Sequence, residues 1–151
     1  MTSYDEVIDL ALVSIEDYRL NKISNDSPAD FSLIMQGFMI RGLVNFDNCN
    51  QDLSDRDETK KEFNLVLRDI EKSIIADYKV MAWLEKEMND TRQIVGMLQN
   101  KNEAHRFSEA NNLKVKIERY NQLYENVCQK KTSYSLKYAP WRDWANGSYE
   151  L

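Results

Sequence analysis

The side chains best able to do chemistry in this 151-residue chain are one histidine and two cysteines. His105 has no second histidine or cysteine at a metal-ligand spacing, so the sequence predicts no zinc site. A serine or cysteine hydrolase needs a histidine base aligned with a nucleophile and an orienting group, and nothing accompanies His105 in those roles. We therefore interpret His105 as a solvated helix residue, and Cys49 and Cys128 as free, half-buried thiols.

Two segments match part of a known ligand-binding pattern. Residues 37–42 have the outer glycine spacing of a phosphate-binding loop, but Leu43 stands where a lysine is required. Residues 55–59 resemble the start of a calcium loop, but Lys60 replaces the glycine that the sharp turn needs. We predict no metal, no cofactor and no enzymatic activity. A small helical enzyme with an unrecognised acid site that includes Asp77 is the catalytic alternative.

The composition indicates a single helical domain. The chain is 42% hydrophobic and 30% charged, with four glycines and two prolines, whereas an all-β fold would contain more turn residues. Its net charge of −5 argues against a protein whose main function is to bind nucleic acid phosphates. No apolar run approaches the roughly 20 residues of a membrane span, and the acidic start of the chain does not resemble a signal peptide. We therefore expect a cytosolic protein.

Hydrophobic periodicity predicts four main helices. They cover residues 4–23, 28–46, 69–90 and 103–137, and residues 91–98 are predicted to form a short helix or turn. Ser27 and Pro28 are typical of a helix start, and Gly37 and Gly42 predict a close approach by a neighbouring backbone. We expect the helix that contains these glycines to be the most buried one.

The last predicted helix is unusually long. At 1.5 Å per residue it would measure about 50 Å, more than the width of a compact domain of this size, so part of it should project or pack on another chain. Its apolar stripe consists of Leu113, Ile117, Tyr120, Tyr124 and Val127. We expect this stripe to pack on residues 70–88 as an antiparallel pair.

Residues 48–62 are predicted to form a solvated acidic loop, and residues 63–67 either an extended arm or the first turn of the third helix.

The predicted fold is therefore an all-α helical bundle with a long C-terminal helix, an exposed acidic loop and an extended C-terminal tail. Residues 1–137 form the helical domain and residues 138–151 the tail. Residues 129–142 contain no acid, and Pro140 ends the helix just before two tryptophans. We predict that this region docks on a partner protein, through Lys130, Lys131, Lys137, Tyr138, Trp141, Arg142 and Trp144. In the alternative, the tail folds back and its tryptophans cover the protein's own core.

The acidic loop is a second candidate surface. Its charges alternate in sign, which suits reciprocal ion pairs between identical subunits. The predicted subunit contacts are Asp52, Asp55, Arg56 and Asp57. A solvated loop with no partner is the alternative.

Three groups of residues in this chain form a pattern. The first comprises residues 46–49, 52–58 and 63–64, the second Leu67, Glu71 and residues 74–76 and 81–84, and the third residues 107–114. Together they resemble the head-to-tail connector (adaptor) proteins of tailed bacteriophages that infect Gram-positive bacteria. The similarity spans residues 31–120 and leaves the tail outside.

This resemblance implies a structural virion protein without an active site. Copies would form a ring, typically a dodecamer, beneath the portal protein and would contact the next neck or tail-completion protein. DNA would pass through the channel without specific binding. The protein, made in the host cytoplasm, would reside in the neck of the virion and touch no membrane. The alternative is a cytosolic protein-protein interaction module, a dimeric regulator or adaptor that pairs through its last helix.

Overall fold

Helices account for most of the structure. The computed structural model describes residues 1–15, 18–98 and 103–138, and for Tyr18 and Arg19 the backbone alone. Within these ranges the helices are α1 (Tyr4–Leu12), α2 (Tyr18–Asp26), α3 (Pro28–Leu43), α4 (Asp69–Met97) and α5 (Glu103–Tyr138). The predicted all-α fold with a long C-terminal helix is confirmed.

The first helix begins at a capping box. The hydroxyl of Ser3 accepts a 3.2 Å hydrogen bond from the backbone N–H of Asp5, and the carboxylate of Glu6 accepts one from the N–H of Ser3 at 3.3 Å. These bonds satisfy N–H groups that the first turn of a helix leaves without partners, and the two acids suit the helix dipole.

The prediction of one continuous helix over residues 4–23 is wrong. After α1 the backbone tightens, because the N–H of Ser14 donates to the carbonyl of Ala11 and that of Ile15 to the carbonyl of Leu12. This turn directs Ile15 into the core, where it is buried. The apolar spacing continues across the break, so periodicity alone did not reveal it.

The glycine prediction for α3 is right at one position and wrong at the other. A Cβ atom added at Gly42 would lie 2.9 Å from the carbonyl carbon of Tyr78 in α4, whereas one added at Gly37 would meet no described residue within 4 Å. The helix does begin at Pro28, but the side chain of Ser27 makes no cap hydrogen bond. It ends at Leu43 and not near residue 46, since a turn follows.

The most buried helix is α4, which corrects the expectation that α3 would be. Fourteen residues of α4 are buried, against four of α3, because α4 contacts α1, α3 and α5. It also continues seven residues past the predicted end at position 90, so residues 91–97 are no separate element. An ion pair of 2.8 Å between Lys86 and Asp90 stabilises the helix where polar residues suggested an end.

A small antiparallel sheet fastens the predicted loop to the N-terminus. Its strands are β1 (Thr2–Ser3), β2 (Arg56–Asp57) and β3 (Glu62–Phe63), in the order β1-β3-β2. Phe63 pairs with Thr2 on one side and Arg56 on the other, and its buried ring lies 5.0 Å from that of Tyr4. Residues 63–67 precede α4 without joining it, so of the two readings the extended arm is right.

The predicted antiparallel pairing of α5 with α4 is confirmed. Lys116 bonds to Thr91, and Tyr134 to Glu71, so residue numbers rise along one helix as they fall along the other. Val127 is fully buried in this contact, but Tyr124 is 53% exposed and does not belong to the packed stripe. Residues 103–115 of α5 include no buried residue.

Candidate partner-binding surface

A buried carboxylate joins the loop, the start of α4 and the end of α5. Glu71 is fully buried and accepts hydrogen bonds from the side chain of Gln51 at 2.9 Å and from the hydroxyl of Tyr134 at 2.6 Å. Arg68 donates twice more, from its backbone N–H at 2.7 Å and from its guanidinium at 3.1 Å. We call these residues, with Asn50 and Tyr138, the Glu71 network. These four hydrogen bonds offset the free-energy cost of burying the Glu71 carboxylate.

Neither the phenol nor the thiol in this region is prepared to act as a nucleophile. The hydroxyl of Tyr134 accepts from the N–H of Asn50 at 3.0 Å and lies 3.8 Å from the sulfur of Cys49. Burial, together with the hydrogen bond to Glu71, raises the pKa of Tyr134. Burial also raises the pKa of Cys49. Because the anionic forms are disfavoured, both groups serve the packing of the loop on α5.

The last residue of α5 is held at three points. The guanidinium of Arg68 lies 4.2 Å from the centre of the Tyr138 ring, a cation–π contact, and that ring is 4.9 Å from the ring of Tyr134. The side-chain amide of Asn50 donates to the carbonyl of Tyr138 at 2.9 Å. The Glu71 network therefore fixes the position of the last residue of α5.

Two of the predicted docking lysines are already partnered within the subunit. Lys130 forms an ion pair with Asp77 and a 2.9 Å hydrogen bond with Ser73. Lys131 forms a 2.6 Å ion pair with Asp47.

The other predicted docking residues divide between the end of α5 and the tail. Lys137 is exposed, with its ammonium 5.3 Å from the Tyr138 ring. Trp141, Arg142 and Trp144 lie outside the described residues. The docking role of this group stays a prediction.

The predicted subunit contacts all take part in hydrogen bonds that shape the loop itself. Asp52 accepts from Ser54, Asp55 from Asn64, and Asp57 from the backbone of Thr59 and Lys60, while Arg56 donates to the carbonyl of Leu53. Hydrogen bonds from Ser54 lower the pKa of Asp52. Asp52 and Asp55 are exposed, and Arg56 and Asp57 are half-buried in the small sheet. Their contact with a second subunit stays a prediction.

The far end of the α4–α5 hairpin carries large apolar side chains in solvent. Beyond the hydrogen bond between Lys116 and Thr91, Ile94 is 43% exposed, Met97 75% and Phe107 62%. We call these three residues the hairpin tip. Sequence reasoning missed this surface because it assigned residues 91–98 to a separate short helix or turn. Three exposed apolar side chains near the same end of a helical pair are a candidate protein-binding surface.

The described residues contain no group of three or more His, Cys, Asp or Glu side chains that could hold a metal ion. His105 lies exposed on the first turn of α5. None of the described helices is both long and apolar enough to cross a membrane. Protein-family models, curated proteins and solved structures provide no match to this chain.

Proposed function

We propose that this protein is a subunit of the head-to-tail connector ring of a tailed bacteriophage. In this role its copies dock beneath the portal protein and extend the DNA channel toward the tail. The resemblance of residues 31–120 to connector proteins supports the proposal, as does the all-α fold. The protein acts by holding two other parts of the virion together, without catalysis.

One observation carries the proposal: the subunit has a candidate binding surface at each end of a long helical pair. The 29 residues of α4 measure about 40 Å. At one end the Glu71 network fixes the exit of the C-terminal tail beside Tyr138. At the other end the hairpin tip exposes Met97 and Phe107. A neck subunit between two different rings needs this arrangement, with the tail toward the portal and the tip toward the next neck protein.

The chemistry of the chain also favours a structural role. Its net charge of −5 disfavours adhesion of DNA phosphates to a channel wall. Asp77, the acid considered for catalysis, is neutralised by Lys130. Cys49 and Tyr134 have raised pKa values and are used in packing.

A dimeric cytosolic regulator that pairs through α5 is the second candidate. It is favoured by two large side chains that α5 exposes away from the tip, Tyr124 at 53% and Leu136 at 61%. Such a protein would be a dimer by itself and would have no affinity for a portal.

Binding to the portal protein encoded in the same genome tests the proposal. The full chain is expected to bind the portal ring in sedimentation experiments, and the paired change Trp141→Ala and Trp144→Ala is expected to abolish binding because aromatic anchors dominate such interfaces. Val44→Ala, at an 80% exposed apolar position outside both surfaces, is the matched control. No portal binding by the full chain, together with a stable dimer, would favour the regulator.

A further inference from the structure

An open groove lies between α1 and the start of α4. It has a volume of about 460 Å³, and its apolar lining comes from Leu10, which is 48% exposed, and Val13, which is 86% exposed. Val13 directly follows α1, and its exposed side chain is not packed in the core. An apolar recess of this kind gains free energy when another apolar group covers it.

The rim of the groove is acidic. Glu6, Asp9 and Asp69 line it, with Lys72 as the single lining cation among the described residues. Lys72 is already engaged, since its ammonium lies 2.9 Å from the carboxylate of Glu6 and 3.6 Å from that of Asp69. The groove therefore fits a segment that combines apolar side chains with positive charge.

The end of α5 lies beside this groove. Arg68, which stacks on Tyr138, is followed directly by Asp69 on the groove rim. Ser73, another lining residue, accepts a hydrogen bond from Lys130 of α5. Further along, Arg119 of α5 donates to the carbonyl of Ser14, just past α1. The end of α5 is thus adjacent to the start of α4, which forms one wall of the groove.

Thirteen residues follow Tyr138, and two of them are tryptophans, whose large aromatic side chains suit the apolar lining of the groove. These are Trp141 and Trp144, and between them Arg142, the one cation of the segment, stands next to Asp143. Six residues of extended chain reach about 20 Å, which exceeds the roughly 10 Å that α1 spans from Glu6 to Val13. Pro140 favours a change of chain direction immediately after α5.

We propose that the chain's own residues 139–151 occupy this groove in the free subunit. The two tryptophans cover Leu10 and Val13, and Arg142 faces the acidic rim. The tail then cannot bind a partner protein until one with higher affinity displaces it from the groove. This inference concerns the free subunit and does not depend on the connector proposal.

Acrylamide quenching of tryptophan fluorescence in the full chain tests whether the tail occupies the groove. The third tryptophan, Trp83, is buried and contributes a constant background. Val13→Asp places a charge in the groove and is expected to raise the quenching constant severalfold by releasing Trp141 and Trp144. Val44→Asp, at an equally exposed position on the turn after α3, is expected to leave quenching unchanged.

Three outcomes would contradict the proposal that the tail occupies the groove. One is equal quenching in Val13→Asp and the native chain, and another is an equal rise in both variants. The third is protection that disappears on dilution, which would assign the groove to the tail of a second copy. A thermal melt of each variant separates a local release from unfolding. Because no described residue buries Val13, both variants are expected to melt like the native protein.

Discussion

The hydroxyl of Tyr134 donates a 2.6 Å hydrogen bond to the carboxylate of Glu71, which lies 63 residues earlier in the chain. Both residues are almost completely buried. Tyr134→Phe removes one donor from the buried carboxylate and leaves the N–H of Asn50 without its acceptor. The expected loss in the free energy of unfolding is about 1–3 kcal/mol, measured by urea denaturation.

Tyr124→Phe is the matched control for this change, because Tyr124 lies on the same helix and is half exposed. It is expected to alter the free energy of unfolding by less than about 0.5 kcal/mol. Equal effects of the two substitutions would mean that the Glu71 network does not hold α5 to α4.

The two glycines of α3 provide a second matched pair. Gly42→Ala is expected to lower the free energy of unfolding by about 1–3 kcal/mol, because the new methyl group would press on the backbone of Tyr78 and Lys79. Gly37→Ala is expected to raise it by about 0.5–1 kcal/mol, since that site is open and alanine favours the helix. Thermal or chemical denaturation measures both, and a neutral Gly42→Ala would contradict the close contact of α3 with α4.

Lys79 gives the fold a specific dependence on pH. Its side chain is fully buried, and its ammonium has no hydrogen-bond partner among the described residues. Burial lowers the pKa of Lys79 to about 7, and the charges of Asp9 and Asp5 oppose this only in part. The unfolded chain keeps a pKa of 10.5 at this lysine and so binds more protons than the native state between about pH 7 and 10. In this window the contribution of Lys79 makes stability rise with pH, and below it the full cost of burying the charge remains.

Lys79→Met should therefore stabilise the protein by about 1–3 kcal/mol at about pH 6 and flatten the rise in stability above neutral pH. Urea denaturation across the pH range measures both effects. Lys86→Met, at a half-exposed position of the same helix, should keep the native pH profile. An unchanged profile in Lys79→Met would show that the lysine reaches solvent.

The sequence predicted what depends on local pattern. The start of α3 at Pro28, the long α5 and its pairing with α4 all follow from spacing and helix-start residues. The break after α1 was missed because Ile15 continues the apolar spacing while the backbone turns.

Features that depend on distant residues could not be predicted in this way. Glu71 and Lys79 are both charged, and composition favours placing such residues on the surface. Only the packing of α5 and the loop around Glu71, and of α4 against its neighbours around Lys79, puts them inside. For Glu71 one local signal existed, since a glutamate in the first turn of a helix can accept a hydrogen bond from the N–H of the residue before the helix, here Arg68.

The hairpin tip is expected to act in assembly and not in folding. Met97→Lys combined with Phe107→Lys should leave the melting temperature unchanged, because both side chains are mostly exposed. The same pair should abolish association with the next neck protein, since it places charge in an apolar interface. Val66→Lys, at a 72% exposed position in the loop before α4, is the control. Association that survives the paired change would remove the tip from the interface.

Electron microscopy of the protein mixed with the portal ring from the same genome tests the central claim most directly. The connector proposal predicts a second ring of this chain coaxial with the portal, with the C-terminal end of α5 facing the portal and the hairpin tip directed away from it. Images of bare portal rings, with this protein remaining a monomer or a two-fold dimer in solution, would contradict the proposal.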